Sequence, residues 1–308
     1  MALIIKSTSK SDKPIDHYPS RGVLQPQLID RLDPVTYISD KEPLPISPAL
    51  LKQYQKNGFM VLEGIFTQDE VIVFQQELGH LRSSSTIQNS GEIISELGSN
   101  DIRSIFRVHQ VSEVFKKVAT DRRLAGLAQC LLGDQVYIHQ SRLNYKPGFR
   151  GKEFYWHSDF ETWHVEDGMP RMRALSMSVS LTNNDDTNGP LMLIPGSHQK
   201  YVVCEGDTPD NHFEASLKKQ EYGVPSDECL SRLVNDGGIV TSRGKPGSVT
   251  IFDCNTMHGS NGNITPYARS NAFFVFNAIS NRVGAPFCNQ PPRPEYLCSR
   301  KTITPIKV

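Results

Sequence analysis

Over positions 175–182 the chain reads Leu-Ser-Met-Ser-Val-Ser-Leu-Thr, four apolar residues alternating with four hydroxyl residues. Successive side chains of a strand point to opposite faces, so this octet predicts a strand with one face in a core and the other lining something polar. A polar inward face suits the mouth of a barrel. The sequence around it agrees. From Val136 onward it breaks into short runs rich in β-branched and aromatic residues, and further strands are predicted at 191–194, 248–252 and 270–279. Turn signals separate them, among them Asn188-Gly189-Pro190 and Pro195-Gly196-Ser197.

Ahead of position 136 the periodicity is helical. Ser47 is placed to cap a helix with Pro48 in its first turn, Leu50, Leu51 and Tyr54 on one face and Gly58 at its end. Thr67 and Glu70 form a capping-box pattern ahead of Val71, Phe74, Leu78 and Leu81. A third helix is expected over about 111–132, and the Ser-rich stretch 83–100 reads as a loop. The domain organisation that follows is an arm over 1–45, extended and lying on the domain or partly disordered, and a single domain over 46–308. In that domain a helical scaffold (about 46–133) precedes a β core (about 134–308). The polar segment 205–237 is long for a connection without a role, and a lid is expected there.

Composition narrows the function. Lys plus Arg and Asp plus Glu both number 33 in the 308 residues, so no general attraction to nucleic acid or anionic membrane is expected, and a small neutral or zwitterionic substrate fits better. The apolar run Ala2 to Ile5 is too brief for a signal-peptide core or a membrane span, which predicts a cytoplasmic protein. Six cysteines without a C-x-x-C pair indicate reduced structural thiols.

The chemistry concentrates in Phe-Tyr-Trp-His-Ser-Asp-Phe-Glu-Thr-Trp-His, positions 154–164. In a strand-like segment His157 and Asp159, two apart, share a face and can address one centre. His258, where a later β run meets a turn, is the natural third ligand. Two imidazoles and one carboxylate leave coordination positions open, as in non-haem Fe(II) oxygenases. H-x-D alone is weak in a chain with nine histidines, and His109, His139, His164, His198 and His212 are read as ordinary core or surface residues. Arg269 opens the strand after His258, with Asn271 and Phe273 on the same face. As a surface charge it needs no explanation; pointing inward, it needs a planar anion such as a carboxylate held in two hydrogen bonds. A metal beside such a clamp suggests a chelating oxo-acid cosubstrate.

Taken with Asn188-Gly189-Pro190-Leu191 and Pro195-Gly196-Ser197-His198, the H-x-D, distal His and following Arg resemble the phytanoyl-CoA dioxygenase family of Fe(II)/2-oxoglutarate enzymes. Positions 154–174 are most similar to its ectoine-hydroxylating members, and the similarity runs from Asp16-His17-Tyr18-Pro19-Ser20-Arg21 nearly to the last residue. The resemblance implies a mainly β, double-stranded β-helix (jelly-roll, cupin-like) core with flanking N-terminal α-helices. It implies that His157, Asp159 and His258 bind Fe(II), and that Arg269 holds 2-oxoglutarate with Lys146, Asn144, Ser260 and Phe106. Gln140, Trp163 and Phe273 fall at substrate-contact positions, with Arg142 near the substrate carboxylate. The implied reaction consumes O2 and 2-oxoglutarate, releases succinate and CO2 and hydroxylates ectoine to 5-hydroxyectoine, in a homodimeric enzyme. Aromatic faces suit ectoine's amidinium cation. Two other readings stay open: a related hydroxylase acting on a free amino acid such as proline, and a jelly-roll metal-binding protein or redox-inactive metalloenzyme that consumes no O2.

Overall fold

The computed structural model describes residues 15–38, 44–88, 91–95, 101–211, 213–216 and 220–308. The short apolar run at 2–5 and His212 lie outside them. In chain order the strands are β1 (Gln27–Asp30), β2 (Phe59–Leu62), β3 (Ile93–Ser95), β4 (Ile102–Phe106), β5 (Val136–Lys146), β6 (Phe154–His157) and β7 (Ala174–Ser180). There follow β8 (Leu191–Leu193), β9 (Lys200–Val203), β10 (Val240–Thr241), β11 (Val249–Asp253), β12 (His258–Ser260) and β13 (Arg269–Ala278). A seven-stranded sheet in the order β2-β11-β7-β13-β5-β4-β3 faces a four-stranded sheet in the order β10-β8-β12-β6, and every pairing is antiparallel.

Most of the alternating octet becomes β7, an inner strand of the large sheet between β11 and β13. Leu175, Met177 and Val179 enter the main apolar core with Val249, Ile251, Ala272, Phe274 and Phe276. That core is closed from outside by helices: α1 (Pro48–Asn57), α2 (Gln68–Ser83), the single turns α3 (Ser85–Gln88) and α4 (Val108–Val111), α5 (Glu113–Ala119) and α6 (Leu127–Leu132). The hydroxyl face points inward, buried and hydrogen-bonded. Ser176 donates to Asp159 Oδ2 at 3.1 Å, and Ser178 accepts from Asn271 at 2.8 Å. The caps form as their chemistry requires, since Ser47 Oγ accepts from the Leu50 amide and Gly58 ends α1 at φ 82°. Both bonds of the Thr67–Glu70 capping box are present.

Two expectations change. The helix expected over 111–132 is broken, because Ser112 and Asp121 bond their side chains to the amides of Phe115 and Arg123 and so start new helical segments. A π-helical turn, Arg122–Gly126, leads into α6. The stretch read as a loop contributes α3 and β3, because β4 offers β3 an edge. The described part of the N-terminal arm is bonded in place. Its β1 pairs with β9, Tyr18 is fully buried with its hydroxyl donating to Asp33 at 2.8 Å, and Arg31 forks onto Asp253. Within 205–237 the structure describes α8 (Phe213–Ser216) and α9 (Asp227–Gly237). All six cysteines are free thiols.

Candidate active site

β6 ends at His157 and β12 begins at His258, and the two histidines are direct cross-strand partners in the small sheet. Their rings lie 4.2 Å apart, centroid to centroid. Each Nδ1 sits against a backbone carbonyl, His157 on Tyr155 at 2.8 Å and His258 on Thr256 at 2.9 Å. Donation to those carbonyls leaves both Nε2 lone pairs directed inward. Asp159 Oδ1 is 3.8 Å from one Nε2 and 3.9 Å from the other, too far for hydrogen bonds and close enough for one cation to touch all three. All three residues are buried.

Asp159 reaches this position by a route the strand argument did not foresee. It is the first residue of α7 (Asp159–Asp167), entered through extended backbone at Ser158. The i, i+2 geometry of a strand therefore does not apply, and the carboxylate sits where a helix N-terminus favours negative charge. The face of α7 then follows helical spacing, with Asp159, Thr162, Trp163 and Glu166 all lining the cavity. Burial first, then the neighbouring His258, lowers the pKa of His157 to about 3, so its imidazole is neutral and ready to ligate. Burial works to raise the Asp159 pKa, but His258, His157, Arg142 and the Ser176 hydroxyl outweigh it and keep the group below the usual carboxylate range. Two imidazole nitrogens and one fixed carboxylate, open to a cavity on the remaining side, fit a ferrous ion.

Arg269 begins β13 opposite Lys146 of β5. It is 7% exposed, donates through Nη1 to Asn271 Oδ1 at 3.2 Å, and its buried Nε has no partner. Burial, with Arg103 nearby, lowers its pKa to about 10. Among the described residues no carboxylate pairs with it. Lys146 Nζ donates to Ser260 Oγ at 2.9 Å and to the Asn261 carbonyl, and Asn144 Oδ1 accepts from Ser104 at 2.9 Å. A buried fork with this neighbourhood is built for an anionic ligand.

The cavity between the sheets measures about 140 Å³, against roughly 10–15 Å³ for one water, so it accommodates a small molecule. His157, Asp159, His258, Arg269, Lys146, Asn144, Ser260, Phe106, Gln140, Trp163, Phe273 and Arg142, the residues singled out in the sequence, all line it. Gln140 Nε2 donates to the Leu297 carbonyl at 2.8 Å, its Oε1 accepts from Arg142, and the Arg142 guanidinium lies 4.9 Å from the Phe273 ring centroid. Sequence reasoning missed Thr162, Glu166, Arg103 and Arg293 in the wall. A helical reading of 159–167 finds the first two by spacing; Arg103 and Arg293 carry no local signal.

A second buried group, His139, Asp167 and Cys298, lies behind Trp163. Its carboxylate is already engaged. Asp167 approaches Nε2 of His139 at 3.4 Å and Cys298 approaches Nδ1 at 4.0 Å, on opposite ring edges, and Arg293 already forks onto Asp167. His164 has both nitrogens occupied, by the Met169 carbonyl at 2.7 Å and Asp16 at 2.9 Å.

Residues 54–271 match the profile of the phytanoyl-CoA dioxygenase (PhyH) family. Ectoine dioxygenase of Stutzerimonas stutzeri is 54% identical over 293 residues, covering 95% of this chain and 97% of that protein. The crystal structure of EctD from S. alaskensis with 2-oxoglutarate and 5-hydroxyectoine superposes with a TM-score of 0.87 at 51% identity, covering 96% of this chain and 98% of the other. The same enzyme with bound Fe gives a TM-score of 0.85 at 50% identity over the same shares of the two chains.

Proposed function

Because the chain belongs to the phytanoyl-CoA dioxygenase family, we propose that it is an Fe(II)/2-oxoglutarate-dependent dioxygenase that hydroxylates ectoine to 5-hydroxyectoine. The observation that carries this reading is the convergence on one cavity of a two-histidine, one-carboxylate cluster and a buried arginine that has no carboxylate partner among the described residues. Relatives of nearly full-length similarity act on ectoine by name, and the solved relative holds 2-oxoglutarate and the hydroxylated product.

His157, Asp159 and His258 hold the iron. Bound there with 2-oxoglutarate and O2, Fe(II) supplies the oxidising chemistry by which 2-oxoglutarate becomes succinate and CO2 while one oxygen atom enters the substrate. The chain's own work is orientation and exclusion of water. Carbonyl bonds at both Nδ1 atoms fix the ligand tautomers, and Ser176 holds the distal oxygen of Asp159. Arg269 forks onto the far carboxylate of 2-oxoglutarate, with Lys146, Ser260 and Asn144 beside it and Phe106 against its chain. Trp163 and Phe273 present ring faces to the delocalised cation of ectoine, while Gln140 and Arg142 engage its carboxylate. Phe213 and Gln220 also line the cavity; they support a lid within 205–237, which substrate should protect from protease.

The deciding assay incubates the protein with Fe(II), ascorbate, 2-oxoglutarate and ectoine in air and measures succinate and a product heavier by one oxygen. Succinate without hydroxylated ectoine redirects the reading to another zwitterion such as proline; neither product from iron-loaded protein refutes it. Assembly as a homodimer and residence in the cytoplasm rest on the resemblance, with no described helix long and apolar enough to cross a membrane. A solution mass near the chain's 34.5 kDa refutes the dimer.

A further inference from the structure

The segment 16–21 lies outside the stretch matched by the family profile and outside the cavity wall. Its last residue, Arg21, has φ 68°, a left-handed conformation that costs a non-glycine residue roughly 1 kcal/mol or more and persists where the surroundings impose it. Two backbone bonds impose it here, Arg21 N–H to the Cys204 carbonyl and Gly22 N–H to that of Gly206, both 2.8 Å. The consequence is a guanidinium, 3% exposed, lying against α7. Nε and Nη2 donate to the two carboxylate oxygens of Glu161 at 2.9 and 2.7 Å, and Nη1 is 2.7 Å from Glu166 Oε1 and donates to Thr208 at 2.8 Å. Ser20 adds a bond to Glu161 at 2.8 Å. Gly223 seals the pair: a β-carbon there would stand 2.2 Å from Glu161 Oε2 and 2.7 Å from Arg21 Nη2.

Arg21 thus grips α7 at two successive turns, and a fork with two anchor points fixes a helix in rotation as well as position. The same helix carries Asp159, Thr162, Trp163 and Glu166 into the cavity. Stability alone is a poor reason for the arrangement, because buried ion pairs are often replaced by apolar residues without loss; orientation is what a rigid two-point fork adds.

We infer that Arg21 is a positioning residue for the reaction, setting the placement of Asp159 and Trp163 through Glu161 and Glu166. The inference rests on the reading of the cavity as the catalytic site. The test compares Arg21→Lys, Arg21→Met and, as a control that leaves both carboxylates held, Thr208→Ala. Readouts are KM for ectoine and for 2-oxoglutarate, hydroxylated product per succinate, and amide exchange across 159–167. Lysine keeps the charge and loses the fork, so KM for ectoine should rise roughly 10- to 100-fold, the range for supporting partners of a metal site, and product per succinate should fall. KM for 2-oxoglutarate should change less than KM for ectoine, because Arg269, Lys146 and Ser260 sit on the sheets and only the contact through the metal depends on α7. Thr208→Ala should behave as the parent. Unchanged KM and product ratio in folded Arg21→Lys, with only the active fraction reduced, overturn the inference. If Arg21→Met does not fold, Arg21→Lys decides. If the parent makes no hydroxylated ectoine, the functional reading has failed, and exchange still discriminates: faster exchange confined to α7 in Arg21→Lys supports the positioning role, and equal exchange overturns it.

Discussion

Arg269 makes opposite contributions to stability and to function, and Arg269→Met separates them. Its guanidinium is 7% exposed without a carboxylate partner among the described residues, and burial lowers its pKa from 12.5 to about 10. A shift of that size means roughly 3 kcal/mol against the charged form in the folded protein. The sign follows from linkage: the folded state holds this proton less tightly than the unfolded chain, so the penalty is present in full below about pH 10 and is relieved only above it. Methionine fills much of the same volume without the charge. The metal-free, cosubstrate-free protein should therefore keep its melting temperature at pH 7.5 or gain a few degrees, by scanning calorimetry. Binding of 2-oxoglutarate should suffer instead. Removing one partner of a buried charge pair costs about 2–5 kcal/mol, so taking about 3 kcal/mol, KM for 2-oxoglutarate should rise roughly 100-fold. At saturating cosubstrate kcat should largely recover. A lower melting temperature with an unchanged KM refutes the reasoning, because it makes Arg269 a structural residue.

Four further outcomes are expected. His157→Ala, Asp159→Ala and His258→Ala should each abolish turnover and stoichiometric Fe(II) binding by anaerobic dialysis, and normal activity in any one removes that residue from the ligand set. Ser176→Ala deletes a hydrogen bond to a charged oxygen, worth about 1.5–3 kcal/mol; iron affinity should fall roughly 10- to 100-fold without vanishing. In metal-free protein, His157 takes its proton at about pH 3 when folded and near 6.5 when unfolded, so unfolding free energy should climb as pH rises between these values. Denaturant titrations at pH 5 and 6.5 should show that climb shrinking in His157→Asn. Trp163→Ala should raise KM for ectoine at least tenfold and spare KM for 2-oxoglutarate.

The site was more legible than the path of the chain around it. Hydroxyl alternation in β7 states its burial on both faces, and the caps at Ser47 and Thr67 state where helices begin, because each signal acts within a few residues. The residues singled out for ligand, clamp and substrate contact all meet in one cavity. What failed was local geometry decided by distant partners. Asp159 leaves the strand because β12 pairs with β6 only as far as His157, and Gly168 at φ 72° then closes a helix over the intervening residues. The breaks at Ser112 and Asp121 were visible as capping residues and were outweighed by a long apolar periodicity. Arg21, though within the quoted motif at 16–21, and Arg293 gave no sign of their partners, which lie on α7 more than a hundred positions away.

The pairing of β6 with β12 also bears on the order of events during synthesis. His157 and Asp159 emerge from the ribosome long before His258, and β5, which carries Lys146 and Asn144, waits for β13 to bring Arg269 alongside. No earlier stretch of chain contains a complete set of ligands, so iron cannot template the first half of the fold. A chain stalled before position 258 would lack the third member of the cluster, and one stalled before 269 would lack the arginine as well.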